Sequence, residues 1–432
     1  MNTHPRSHLA RHRLAFGALA VAAVLGAAAT CSASGTQHDA AASIAGSRSR
    51  TSATATELNS LAQQLVDDGA PGVIVRVNDG HGTTIQIARQ ATWTVPDHAL
   101  TPEDQFRMGS NTKTMVAALV LQLVAAHTIN LDDSVQKWLP GMIPNGSAIT
   151  IRMLLNHTSG LYNYLNDPRI LKVFTGQDTR TWTPQQLMAV AVSHPPLFAP
   201  GAEYSYSNTN YVALGLILQK ATGQSLANLI QDRIAKPLGL TGTYLAPYAP
   251  DPANTKLANG YEPDAAILAP QLPPGTPAGT SFAGPARGDY ANTTRDNDSG
   301  DWAAGGIVST AADWARFQSA LVSGKLLPAA QVKEMETTVP EGTGTPSRYG
   351  LGIEHKTTPC GTVWGHDGQA AGYSTWNYTN NTGTRTMAVF ATTIFGLAEP
   401  KTSVASQALI DDAACAMLDK PIPAETNSTP AP

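Results

Sequence analysis

The tetrad Ser110-Asn111-Thr112-Lys113 opens an apolar segment, Thr114 to Ala126, that reads as a buried helix. A serine in the first turn of such a helix and a lysine three residues on share one face, so the amine can lie beside the hydroxyl and take its proton. That is the minimum machinery for an acyl-enzyme. It requires a neutral Lys113, and therefore a pKa lowered by desolvation or by nearby charge. A second polar run, Pro200-Gly201-Ala202-Glu203-Tyr204-Ser205-Tyr206-Ser207-Asn208, leads into a helix carrying Tyr211, Leu214 and Leu218. A Tyr206 oxygen near the nucleophile can relay a proton to a leaving group, and the Asn208 amide can hold a substrate carbonyl. A third, Gly365-His366-Asp367-Gly368-Gln369, offers glycine-lined backbone. The N–H after Gly368 can join that of Ser110 in an oxyanion hole.

Each motif has an ordinary reading beside the chemical one. Serine followed three residues later by lysine recurs by chance, Asn208 also suits a helix N-cap, and His366 also suits a satisfied structural histidine. Their joint order and placement carry the weight. Other chemistries find less support. No Gly-x-Ser-x-Gly elbow and no Gly-x-x-x-x-Gly-Lys-Ser/Thr loop is present. Around His366 no second His or Cys sits at metal-ligand spacing. Asp296-Asn297-Asp298-Ser299-Gly300-Asp301 fails as an EF-hand loop, because its glycine falls at the fifth position and Ile307 at the twelfth. No metal and no cofactor is expected.

The elements that must position these residues follow from pattern. A helix near Ala55 to Gly69 precedes strands at Gly72 to Asn78 and Thr83 to Trp93, joined by the Asp79-Gly80-His81-Gly82 turn. From Leu131 to about Gly324 helical pieces dominate: Ile149 to Asn156, Pro184 to Ala191, Asn208 to Thr222 and Thr310 to Ser323. Between Leu245 and Ala303 the chain is irregular, rich in Pro, Gly, Asn and Asp, and too long for an idle loop. Such an insertion can line or cover a cleft. Strand-like runs return at Gly350 to Glu354, Thr362 to Trp364, Ala371 to Tyr378 and Thr384 to Thr393, before a helix at Lys401 to Leu418. This order implies an α+β fold, with an antiparallel sheet assembled from both chain ends and a helical lobe, about 131–324, inserted between them.

Residues 1–31 read as an export signal, with Arg6, Arg11 and Arg13 before an apolar Leu14–Ala29 stretch. Soluble secretion is expected, with lipidation at Cys31 the alternative, because Ala28-Ala29-Thr30 fits the usual lipoprotein box poorly. No stable membrane span is expected. Residues 32–54 read as a flexible leader, 55–418 as the catalytic domain and 419–432 as a disordered tail. Removing the export signal's three arginines leaves 25 basic against 32 acidic side chains. With 14% of the chain charged and no dense basic block, nucleic acid is not an expected partner. Cys360 and Cys415 form an even pair in an exported chain and are expected to be bridged.

Over roughly Glu57 to Leu418 the chain resembles the penicillin-recognising serine hydrolases, which include secreted D-alanyl-D-alanine carboxypeptidases, class C β-lactamases and related esterases. The nucleophile motif stands as Ser110-Asn111-Thr112-Lys113, the Tyr-x-Asn element as Tyr206-Ser207-Asn208, and the third motif as His366-Asp367-Gly368. Asn156-His157-Thr158-Ser159-Gly160-Leu161 and Gly305-Gly306-Ile307-Val308-Ser309-Thr310 also resemble family segments. The resemblance implies a β-lactamase/transpeptidase-like fold. It implies Ser110, Lys113 and Tyr206 as catalytic groups, with lysine and tyrosine both open as the base. Asn208, Trp302, His366, Gly368 and Gln369 would form the substrate site, and His157 would be structural. The implied reaction is D-alanyl-D-alanine carboxypeptidase chemistry on small cell-wall peptides by a monomer that also takes β-lactams as covalent inhibitors. Alternatives are an esterase or amidase, a class C-like β-lactamase, or a non-enzymatic penicillin- or cell-wall-binding module.

One departure bears on substrate. Soluble relatives that take a terminal carboxylate use an arginine after a Gly-Leu-Gly strand, where this chain has Gly350-Leu351-Gly352-Ile353-Glu354-His355-Lys356. It also has Asp367 and Gln369 where hydroxyls would be convenient. His355, Lys356 or Arg348 are the candidate replacement cations. If Glu354 and Asp367 face the cleft, a substrate lacking the carboxylate, or one bearing an amine, becomes the better fit.

Overall fold

The computed structural model describes residues 40–174, 178, 180–246, 254–269, 277–342 and 345–421. An eight-stranded antiparallel sheet runs in the order Thr84–Gln90, Gly72–Asn78, Thr386–Ala391, Tyr373–Thr379, Gly361–Ala370, Glu354–Thr358, Arg348–Tyr349, Val339–Pro340. Val73 pairs with Ala391 and Asn78 with Thr386, so the N-terminal hairpin lies directly against the C-terminal strands. The sheet is therefore built from both chain ends. The strands Gly72–Asn78 and Thr386–Ala391 carry almost continuous buried residues rather than an alternating pattern, as a sheet covered on both faces requires.

One face is covered by helices Ala40–Asp67 and Pro400–Met417. Leu58, Ala62 and Leu65 on the first, and Ala405, Leu409, Ala413 and Met417 on the second, recur at helical spacing and close over Val73, Val75, Val77, Val363, Met387 and Val389. The other face meets the helical lobe, whose core contains the helix Thr112–Ala125. Eleven of its fourteen residues are buried, which is the composition of a helix surrounded by protein on every side. A disulfide joins Cys360, before the Gly361–Ala370 strand, to Cys415 on the last helix, with 5.1 Å between Cα atoms.

Several boundaries differ from expectation. The first helix already includes residues 40–54, part of the stretch read as a flexible leader, and no proline interrupts it over residues 40–67. Gly350 to Glu354 is not one strand: Arg348–Tyr349 and Glu354–Thr358 are joined by a tight turn closed by Gly350 N–H to Ile353 O at 2.7 Å. The Gly361–Ala370 strand runs straight through the His366-Asp367-Gly368 motif. The insertion after Leu245 contributes a three-stranded sheet, Tyr261–Pro263, Tyr290–Asn292 and Ala286–Arg287. The export signal, Cys31 and most of the tail lie outside the described residues, among which no helix is long and apolar enough to cross a membrane.

Candidate active site

Ser110 lies in a short 3-10 turn, Gly109–Asn111, that runs into the Thr112–Ala125 helix. Gly109 has φ +51°, and a Cβ there would stand 2.4 Å from Gln369 N, so only glycine lets the strand edge pass this close to the nucleophile. The turn is tied to the strands on its other flank. Thr375 Oγ1 donates to Met108 O at 3.1 Å and lies 2.9 Å from the Asn111 amide. A Cβ on Gly368 would stand 2.0 Å from Met108 O. The backbone of Gly368 and Gln369 is thus brought against the Ser110 turn, while the Gln369 side chain is exposed.

Lys113 is completely buried. Its Nζ lies 2.9 Å from Ser110 Oγ, 2.7 Å from Asn208 Oδ1 and 2.7 Å from Ala304 O, with the Tyr206 ring centroid at 4.8 Å. Burial pushes its pKa down to about 7; Asp301, Asp367 and Glu354, acting at a distance, oppose the fall. A neutral amine has two N–H donors and one lone pair. The Asn208 and Ala304 oxygens accept the two donors, leaving the lone pair for the Ser110 hydroxyl proton. Tyr206 hydrogen-bonds Ser110, and burial holds its hydroxyl well above the ordinary range, so it stands as a phenol.

His157 brackets Tyr206 from behind. Its carbonyl accepts from Ser205 N at 3.0 Å, its Nδ1 accepts from Ser207 N at 3.2 Å, and its ring centroid is 4.3 Å from that of Tyr206. The residue adopts φ +61°, a left-handed conformation costly for a non-glycine and held by these contacts. Asn163, which sequence reasoning passed over, accepts from both Asn208 N and Asn208 Nδ2. Ala304 acts through its carbonyl, for which no side-chain signal exists.

Other expected site residues sit differently. His366 is 1% exposed; its Nε2 is 2.9 Å from the Tyr349 hydroxyl and its Nδ1 meets the Asp367 carbonyl, so its ring supports the Tyr206 wall from behind rather than facing a substrate. Strand alternation turns its side chain into the interior. Trp302, 9% exposed, packs its ring against Gly215, where a Cβ would stand 2.8 Å away, and belongs to the wall between helices. The Asn208 amide is engaged by Lys113 and Asn163.

The replacement cations are all committed elsewhere. Lys356 Nζ lies 2.9 Å from Glu354 Oε2 and 2.9 Å from Asp367 Oδ2. His355 stacks on Trp364 at 4.4 Å, and Arg348 binds the Thr338 hydroxyl and carbonyl. Burial works against the charge on Lys356, but the two carboxylates outweigh it and hold the ammonium well above its usual pKa. Two carboxylates against one ammonium leave this edge net negative. Glu354, His366 and Asp367 place ligand atoms within 4.8 Å of one another, as a metal site would, yet Lys356 already lies within bonding distance of both carboxylates.

A half-buried serine and tyrosine around a buried lysine, at the junction of an antiparallel sheet and a helical lobe, define an acyl-transfer serine hydrolase fold. The chain belongs to the Beta-lactamase family, whose pattern it matches over residues 58–409. It is similar to a D-stereospecific amidohydrolase from Streptomyces sp., at 34% identity and TM-score 0.68, covering 81% of this chain and 97% of that one. Among curated relatives it is similar to esterase EstB of Burkholderia gladioli, 39% identical over 31% of this chain and 37% of the relative. It is also similar to penicillin-binding protein 4* of Bacillus subtilis, 29% identical over 62% of this chain and 56% of the relative. The matches thus span about a third to a little over half of those two relatives' length.

Proposed function

We propose that the protein hydrolyses an amide or ester lacking a terminal carboxylate, through an acyl-enzyme on Ser110, with amides of D-configured amino acids the first class to test. In this reading neutral Lys113 takes the Ser110 Oγ proton as the oxygen attacks the carbonyl. The N–H groups of Ser110 and Gln369 receive the developing oxyanion. Tyr206 passes a proton to the departing amine or alkoxide, and water then cleaves the Ser110 ester. The single observation that supports the mechanism is Lys113 Nζ 2.9 Å from Ser110 Oγ in a fully buried position where its hydrogen-bond partners are neutral oxygens rather than carboxylates, so burial favours the uncharged amine.

The substrate half of the proposal rests on Lys356. Its ammonium is clamped between Glu354 and Asp367 and is not available to a substrate carboxylate, and the two carboxylates around it favour a neutral or amine-bearing substrate. The similarity to the Streptomyces D-stereospecific amidohydrolase supports an amide as the first class to test. D-Alanyl-D-alanine carboxypeptidase activity is the second reading, favoured by the similarity to penicillin-binding protein 4*. The test is ammonia release from D-phenylalanine amide against D-alanine release from a diacyl-L-lysyl-D-alanyl-D-alanine peptide, with Ser110→Ala as control. Ser110-dependent ammonia release with little D-alanine release is expected. Preferential D-alanine release would replace the first reading with the second, and turnover retained in Ser110→Ala would overturn both.

A further inference from the structure

Glu262 is fully buried, sits in the insertion far from Ser110 in sequence, and takes no part in the chemistry above. Among the described residues no cation pairs with it. Its carboxylate accepts from Gly372 N at 2.7 Å, Ile394 N at 3.0 Å, Phe395 N at 3.0 Å and Thr393 Oγ1 at 3.3 Å. An anion placed in the interior costs free energy unless donors surround it, and here three backbone N–H groups and a hydroxyl do so. Burial still pushes its pKa up to about 7.

What those donors belong to gives the carboxylate a purpose. Gly372 is in the two-residue turn between the strands Gly361–Ala370 and Tyr373–Thr379, three residues after Gln369. Around the turn the insertion fits against it without room for a side chain. A Cβ on Gly260 would stand 2.8 Å from Gly372 O, and one on Gly372, at φ +81°, would stand 2.3 Å from Thr293 Oγ1. Tyr373 OH donates to Ala258 O at 2.7 Å, and Tyr261 N to Thr392 O at 2.9 Å. The other flank of the hairpin is tied to the nucleophile turn through Thr375 and Met108. Gln369 therefore lies between two anchors, one on the Ser110 turn and one on the insertion.

We propose that Glu262 is a positioning residue for the oxyanion donor: by holding Gly372 N–H it fixes the hairpin tip and, through it, the distance between the Gln369 N–H and Ser110. The irregular insertion then acts as a strap on the catalytic strand. This inference rests on the oxyanion role proposed for Gln369, although the placement of the hairpin can be read without it. An amide in place of the carboxylate keeps one acceptor oxygen for four donors and turns an NH2 group against the others, which should loosen the tip by a fraction of an ångström, a change that a transition-state contact feels and a ground-state contact hardly does.

The experiment compares wild type, Glu262→Gln and Thr402→Ala in the full chain. Thr402 Oγ1 donates to Gly396 O at 2.6 Å, so its loss loosens the neighbouring turn without touching Gly372. The measurements are hydrogen exchange of residues 366–375, kcat and KM on a p-nitrophenyl ester, and affinity for an arylboronic acid that forms a tetrahedral adduct on serine. All are made well below the melting temperature of the weakest variant. Glu262→Gln is expected to speed exchange in 366–375 and lower kcat by about 10- to 100-fold with KM within about twofold. It should weaken the boronate by the same factor as kcat. Thr402→Ala should do none of these. Unchanged exchange in Glu262→Gln overturns the proposal whatever the enzyme hydrolyses. Faster exchange with unchanged kcat and boronate affinity, or equal losses in Thr402→Ala, reduces Glu262 to a stabilising role and also overturns it. If the wild type neither turns over ester nor binds boronate, the acyl-transfer reading fails, and the exchange result alone then decides whether Glu262 positions the hairpin.

Discussion

Two lysines, the buried Lys113 and the half-buried Lys356, stand near the same strand and end in opposite charge states. Lys113 meets a hydroxyl, an amide oxygen and a backbone carbonyl, all neutral dipoles, and its pKa falls to about 7. Lys356 meets two carboxylates at 2.9 Å each and is held well above its usual value. Burial pushes both in the same direction; the partner type decides the outcome. Dipoles satisfy an amine's hydrogen bonds without stabilising its charge fully, which makes a base. Carboxylates fix the charge, which makes a structural cation no longer able to receive an anionic substrate.

The largest effect should come from removing the neutral lysine. Lys113→Met is expected to lower the acylation rate roughly 10³- to 10⁴-fold, measured by burst kinetics with an activated ester. Lys113→Arg should not restore it, because a guanidinium keeps its proton. Equal rates in Lys113→Met and wild type would end the comparison. Tyr206→Phe should be milder and substrate-dependent, costing roughly 10²-fold on an amide and clearly less on a p-nitrophenyl ester, whose leaving group needs no proton. Equal losses on both would assign Tyr206 to positioning instead.

Lys356→Met tests the other half. It leaves Glu354 and Asp367 uncompensated, and both carboxylates raise the Lys113 pKa. The acidic limb of the pH–rate profile should therefore move upward, and stability should fall by about 2 kcal/mol. That is less than the cost of breaking a fully buried pair, since Asp367 is 35% exposed. A downward shift would mean that Lys356 does not screen those carboxylates from Lys113. The smallest effect on catalysis belongs to Cys360→Ser with Cys415→Ser. The 55-residue separation implies a loss of about 2–4 kcal/mol in unfolding free energy with kcat unchanged.

The sequence exposes those parts of the site where side chains act at short spacing. Ser110 and Lys113 are three apart in sequence where one helix begins, Tyr206 and Asn208 two apart at one turn, and the apolar strand-like runs mark the sheet from both ends. It hides what depends on backbone and on register between strands. The Ala304 carbonyl on Lys113 carries no residue signature. The Lys356 clamp joins Glu354, two residues before it, to Asp367, eleven after it, and forms only because adjacent strands pair Glu354 with Gly365. His366 shares its motif with Asp367 yet faces the interior, because a strand continues through a stretch whose glycines suggest a turn. The helix over residues 40–54 shows a Ser/Ala-rich stretch taking the helical state where composition alone suggests a leader.

Between its folded pKa of about 7 and its unfolded value near 10.5, Lys113 binds a proton only in the unfolded chain, so this group makes stability rise with pH across that window. Its catalytic counterpart is the most direct test. The second-order acylation rate with an uncharged p-nitrophenyl ester should be measured from pH 5 to 9 and corrected for the Lys113→Met background. The account predicts a rate that rises through a single ionisation near pH 7 to a plateau, because only the neutral amine can take the Ser110 proton. A Lys113-dependent rate that is flat across this range, or that falls as the amine loses its proton, would contradict it.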